Sequence, residues 1–183
     1  MKTLFFSLLL IAVTAIGHTQ EIELEEAKVG FTPMEAKITR DGDNFTFNIK
    51  ESYTGEFEKD ALGFMQANFD ILGFIQETQN EDYDSYLVTF RSGKGYLTAD
   101  FDKEGNLVKT SQKFENIILP LDVRREVYQA NQGWTMTANK YAASGRANLL
   151  EKEVYKIKLV NNNQKRTVKL DPKNLGRTSV ASN

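Results

Sequence analysis

The 183-residue chain contains no cysteine, one histidine and only three prolines. Without thiols there is no disulfide staple, no Cys-ligated zinc or iron–sulfur centre and no thiol nucleophile, so stability must come from an apolar core. The single histidine, His18, falls in a segment that reads as an export signal. Removal of that segment would leave a mature protein with neither His nor Cys. It would then lack the usual general base near neutral pH, the nucleophile–base triad and most transition-metal ligand sets. No Walker or GxGxxG phosphate loop occurs, and Ile16-Gly17-His18-Thr19 matches only part of an HxGH signature. The composition therefore favours binding over catalysis, with no catalytic residue, metal ligand or cofactor assigned.

What is present begins with an address. Lys2 precedes Leu4 to Ile16, a 13-residue stretch interrupted only by Ser7 and Thr14. This is the pattern of a secretory signal peptide, and it is shorter than the roughly 20 apolar residues of a membrane-spanning helix. Cleavage after Gly17 or after Thr19 fits the small residues there, and 1–19 is taken as the signal. The expected product is periplasmic or extracellular, without stable membrane insertion. A chain of that size can bury roughly 70% of its unfolded surface, which suffices for a core without disulfides.

Charge is segregated along the chain. Residues 21–110 carry 9 basic and 19 acidic side chains, whereas residues 150–183 carry 8 basic and 3 acidic. An acidic front and a basic back fit intramolecular complementarity or a polyanionic partner. Nucleic acid is not expected as that partner, given export and the net charge of −2.

Periodicity supplies the elements. After an acidic leader, strands are expected at Ala36–Arg40 and Asn44–Lys50, where Phe45, Phe47 and Ile49 alternate with polar residues. An amphipathic helix of about four turns is expected from Thr54 to Asn68, capped by Thr54. A strand is expected from Gly73 to Thr78. Hairpin strands follow at Asp84–Arg91, Gly95–Asp102 and Asn106–Phe114. Pro120 opens a second helix ending near Asn131, which feeds a strand from Trp134. A small-residue loop is expected over Ala142–Asn148, then strands at Val154–Leu159 and Thr167–Leu170. Gln66-Ala67-Asn68 and Gln129-Ala130-Asn131 end the two helices 63 residues apart. The order of elements points to a duplication. The expected fold is α+β: tandem α-β-β-β units forming a helix-backed antiparallel sheet, with 20–53 as leader and hairpin, 54–118 and 119–176 as the units, and 177–183 as a flexible tail.

Several segments carry a family likeness: Phe101-Asp102-Lys103-Glu104-Gly105-Asn106-Leu107-Val108, Leu119-Pro120, Gly133-Trp134, Glu153-Val154-Tyr155-Lys156-Ile157 and Lys169-Leu170-Asp171. Together they resemble the PepSY-like exported proteins of Bacteroidetes, a family related in architecture to beta-lactamase-inhibitor proteins. The resemblance covers roughly residues 54–174 and implies a secreted, non-enzymatic binding or inhibitory module. Asp171-Pro172-Lys173-Asn174 departs from it where a turn glycine is usual.

Candidate site residues come from charge and aromaticity. Lys156 and Lys158 alternate with apolar residues, and Lys165, Arg166 and Lys169 lie on the next strand, so these cations are expected to share an exposed face. Such a face is either a solvated edge that resists sheet-to-sheet aggregation or a contact for an acidic protein, glycan or headgroup. Trp134, Tyr141 and Tyr155 are either core plugs or partner-binding anchors. Asp100 to Gly105 matches the first half of a calcium loop, but Ser111 stands where a bidentate Glu is needed, and a hairpin turn is the simpler reading. Asp100 and Asp102 are the best carboxylate pair for a hydrolase, the least favoured class. The leading expectation is an unidentified envelope or secreted protein as partner. The alternative is a carrier of a small apolar ligand.

Overall fold

A computed structural model describes residues 34–41, 44–78 and 83–175, with side chains from Asn44 onward. The expected export signal with His18, the expected cleavage region, the acidic leader and the expected tail lie outside them. Eight strands form one sheet in sequence order: β1 (Met34–Asp41), β2 (Asn44–Ile49), β3 (Ser85–Ser92), β4 (Gly95–Asp102), β5 (Leu107–Glu115), β6 (Thr135–Arg146), β7 (Leu149–Asn161) and β8 (Gln164–Leu170). Three short helices, α1 (Thr54–Lys59), α2 (Ala61–Asn68) and α3 (Ile71–Glu77), connect β2 to β3, and α4 (Leu121–Ala130) connects β5 to β6. The class is α+β with a mostly antiparallel sheet.

Three expectations are corrected. The long helix from Thr54 is broken at Asp60, whose extended backbone lets its carboxylate accept from Gly63 N (3.0 Å) and cap α2. The expected strand at Gly73–Thr78 is helix α3, because Asp70 accepts from Gly73 N (3.1 Å) and Phe74 and Ile75 follow Ile71 at helical spacing. The expected loop at Ala142–Asn148 is mostly strand. Ala142, Ala143, Ser144 and Gly145 pair with β7, and a Cβ at Gly145 would run into the Leu149 backbone, so the small residues permit close strand approach. The sheet is also not wholly antiparallel, since β2 and β3 run parallel. Parallel neighbours need a crossover, and α1 to α3 supply it.

Register separates two faces. Phe90, Leu97 and Gln112 lie in one cross-strand row, Val88, Ala99 and Thr110 in the next, and Tyr155, Ile157 and Leu159 continue the same face on β7. These residues are buried, and this is the inner face. Helix residues pack on it: the Phe57 ring meets Phe114 at 5.5 Å, and Phe74 meets Phe45 at 4.8 Å and Phe47 at 5.7 Å. Glu58 ties α1 to the β3–β4 hairpin by accepting from Ser92 Oγ (3.0 Å) and Lys94 Nζ (2.9 Å). The β4–β5 turn needs Gly105 at φ +85°, where a side chain would be strained and would press on Leu72.

Candidate functional site

The outer face is the alternate set of residues on the same strands. On β5 it carries Lys109 and Lys113, on β6 Lys140, on β7 Lys152, Lys156 and Lys158, and on β8 Lys165 and Lys169. All are solvent-exposed. Cross-strand neighbours stand about 5 Å apart and same-strand neighbours about 7 Å, so the ammonium groups form a field of one sign. Lys156 stands directly opposite Lys140 on one side and Lys169 on the other. Among the described residues the ion pair that neutralises part of this field is Lys140 with Glu115.

The structure therefore gathers Lys156, Lys158, Lys165 and Lys169 on one face as the sequence predicts, and removes Arg166 from it. Arg166 pairs with Leu159 and points to the inner side, where its guanidinium lies 4.2 Å from the Trp134 ring centre and donates to Asn131 Oδ1. Period-two alternation explains this, because a residue between two outward neighbours must face inward. Trp134 is thus half-buried under Arg166 and packs against the core. Lys152 lies outside the strand expected from Val154, because β7 begins five residues earlier at Leu149, and Lys109, Lys113 and Lys140 lie on β5 and β6. The register shared by β5 and β6 brings them in.

Tyr141 also faces inward, opposite Tyr155, with ring centres 4.8 Å apart. Tyr141 Oη donates to Glu153 Oε1 at 3.1 Å and Tyr155 Oη at 3.5 Å. Burial, then the nearby Glu153 charge, push both phenols above their ordinary range, so they remain protonated donors. These residues border a cleft of about 620 Å³ between α1–α2 and the 117–124 segment, lined by Ile117, Leu119, Leu150 and Gln112 among others. Gln112 is only 4% exposed, and among the described residues the buried side-chain polar atom without a hydrogen-bond partner is Thr110 Oγ1, two positions before it on β5. The sequence signal for this place is a polar residue where strand parity demands an apolar one.

Asp102 is occupied by its own turn. Its Oδ1 accepts from Glu104 N (3.1 Å) and Asn106 N (2.7 Å), and its Oδ2 accepts from Asn106 Nδ2 (2.9 Å). The Asn106 side-chain bond, followed by its backbone bond, holds the carboxyl below the ordinary aspartate range. Asp100 and Asp102 share the outer face of β4, but these bonds make Asp102 the organiser of a hairpin turn. Among the described residues no three His, Cys, Asp or Glu side chains gather as a metal site, and no helix is long and apolar enough to cross a membrane.

No protein-family model, curated protein or solved structure matches the chain.

Proposed function

We propose that this protein is an exported, non-enzymatic binding module whose outer sheet face and hairpin loops dock onto an acidic surface of an envelope or secreted protein, acting by occlusion or scaffolding. The observation that carries this reading is the eight-lysine field on β5 to β8, in which Glu115 pairs with Lys140 and Asp100 stands opposite Lys109 at the edge. Such a field steers an oppositely charged partner and loses strength with salt, because exposed charges are screened over about 8 Å at physiological ionic strength. The face offers few apolar side chains to insert into a bilayer, which favours a protein surface over lipid.

The PepSY-like resemblance agrees with this function. We further infer that 54–118 and 119–176 are two copies of one unit and that the helices back the sheet. In support, the matching tripeptides end α2 and α4 alike: Asn68 Nδ2 donates to Phe64 O (2.8 Å) and Asn131 Nδ2 to Val127 O (2.6 Å).

The test is capture from envelope extract with the wild-type protein and with Lys156→Glu/Lys158→Glu, eluted over a salt gradient. The expected result is one or more acidic proteins retained by the wild type, released by salt and lost from the variant. Equal retention by the folded variant, or no enrichment by the wild type, would defeat the reading.

A further inference from the structure

The inner-face cleft is chemically unlike the lysine face. Ile117, Leu119 and Leu150 give it apolar wall, and the sheet contributes Glu153, Tyr141, Tyr155 and Gln112. Glu153 receives two phenolic protons on one oxygen, and among the described residues no Lys or Arg forms an ion pair with it. Both hydroxyl oxygens have spent their protons on Glu153 and keep lone pairs, and the Gln112 carboxamide, which also lines the cleft, offers a carbonyl acceptor beside its amide donors. The two tyrosine rings supply aromatic surface beside this carboxylate, which attracts a cation electrostatically. Of the other charged groups lining the cleft, Lys94 is already paired with Glu58 at 2.9 Å, and Lys59, Asp60 and Arg124 are solvent-exposed. A half-buried carboxylate without a cationic partner, flanked by rings and acceptors at one end of an apolar cleft, is the complement of an amphipathic amine. The volume of about 620 Å³ is within the usual range for small-molecule sites, about 300–1,000 Å³.

We propose that this cleft binds a small organic ammonium ion, its cation seated on Glu153 between Tyr141 and Tyr155, its apolar body along Ile117, Leu119 and Leu150. The site is separate from the lysine face, and an anionic ligand would be repelled by Glu153.

The experiment is titration of the protein with hexylamine, hexanol and hexanoate at pH 7, followed by amide and tyrosine NMR shifts. Hexylamine is expected to saturate shifts around Tyr141, Glu153 and Tyr155 with an affinity at least about tenfold tighter than hexanol, and hexanoate to bind more weakly still. Glu153→Gln is expected to remove about tenfold of the hexylamine affinity. Equal affinity for hexanol or hexanoate, no saturable hexylamine binding, or unchanged affinity in folded Glu153→Gln would each overturn the proposal. Should Glu153→Gln fail to fold, Gln112→Leu is expected to weaken hexylamine about threefold, and no change there would count against the site equally. Lys156→Glu/Lys158→Glu is expected to leave hexylamine binding intact, so failure of the lysine-face reading and failure of this one are told apart.

Discussion

The two ends of the sheet are built from different materials. Around β2 to β4, three short helices press a chain of rings together: Phe74 lies within 4.8 to 6.2 Å of Phe45, Phe47, Phe69 and Tyr86, centre to centre. Around β6 to β8, one helix contributes Val123 and Val127, and the strands contribute Tyr155, Ile157 and Leu159. The first region has abundant apolar volume and few polar groups among the rings. The second has fewer buried rings, and its long hairpins carry six of the eight outer-face lysines and the Glu153 cluster. The comparison teaches that apolar packing and polar chemistry are divided along the chain, with the aromatic cluster at one end and the lysines and Glu153 at the other.

Phe74→Ala is the hardest blow to that division. Removing a ring that four others contact is expected to cost about 3–5 kcal/mol in chemical denaturation. Val127→Ala, although equally buried, removes far less volume and is expected to cost about 2 kcal/mol. Equal losses would erase the contrast between the two cores. At the far end Arg166→Ala should cost about 1 kcal/mol, through the lost Trp134 stacking and the freed Asn131 carbonyl. A double-mutant cycle with Trp134→Leu measures the pair, and absence of coupling would mean that the contact does not stabilise the second core.

The smallest effect concerns the turn between the two regions. Because the Asp102 pKa is depressed in the fold, its contribution to stability is present above the unfolded aspartate value of about 3.9 and is lost as pH falls through the folded value. Asn106→Ala should raise the Asp102 midpoint in a carboxyl-carbon NMR titration. An unmoved midpoint would mean that Asn106 does not hold the carboxylate.

Much of the strand pattern was legible because Phe45, Phe47 and Ile49, or Tyr155, Ile157 and Leu159, alternate without interruption. The same alternation predicts which lysines on β7 and β8 share a face, and applied strictly it also turns Arg166 inward. The helical region was less legible. Asp60 ends α1 and caps α2, and Asp70 caps α3 just after the α2 C-cap at Phe69, so the chain from Thr54 to Glu77 folds as three short helices where apolar spacing alone suggests one helix and a strand. The cleft was hidden for another reason: Gln112 and Glu153 lie 41 positions apart in sequence, and cross-strand register through β6 brings their parts of the inner face together.

The parallel joint between β2 and β3 gives the chain an assembly order. Strands β3 to β8 are joined in sequence to their neighbours through five antiparallel pairs, four of them closed by short turns and one by a single helix. The β1–β2 hairpin instead reaches its place only across residues 50–84, so its contacts carry the largest loop-closure cost in the sheet. It is expected to dock late, and Phe47→Leu should speed unfolding far more than it slows folding. As the chain is synthesised from its N-terminus, the first strands of this sheet to be made would then be among the last to find their partners.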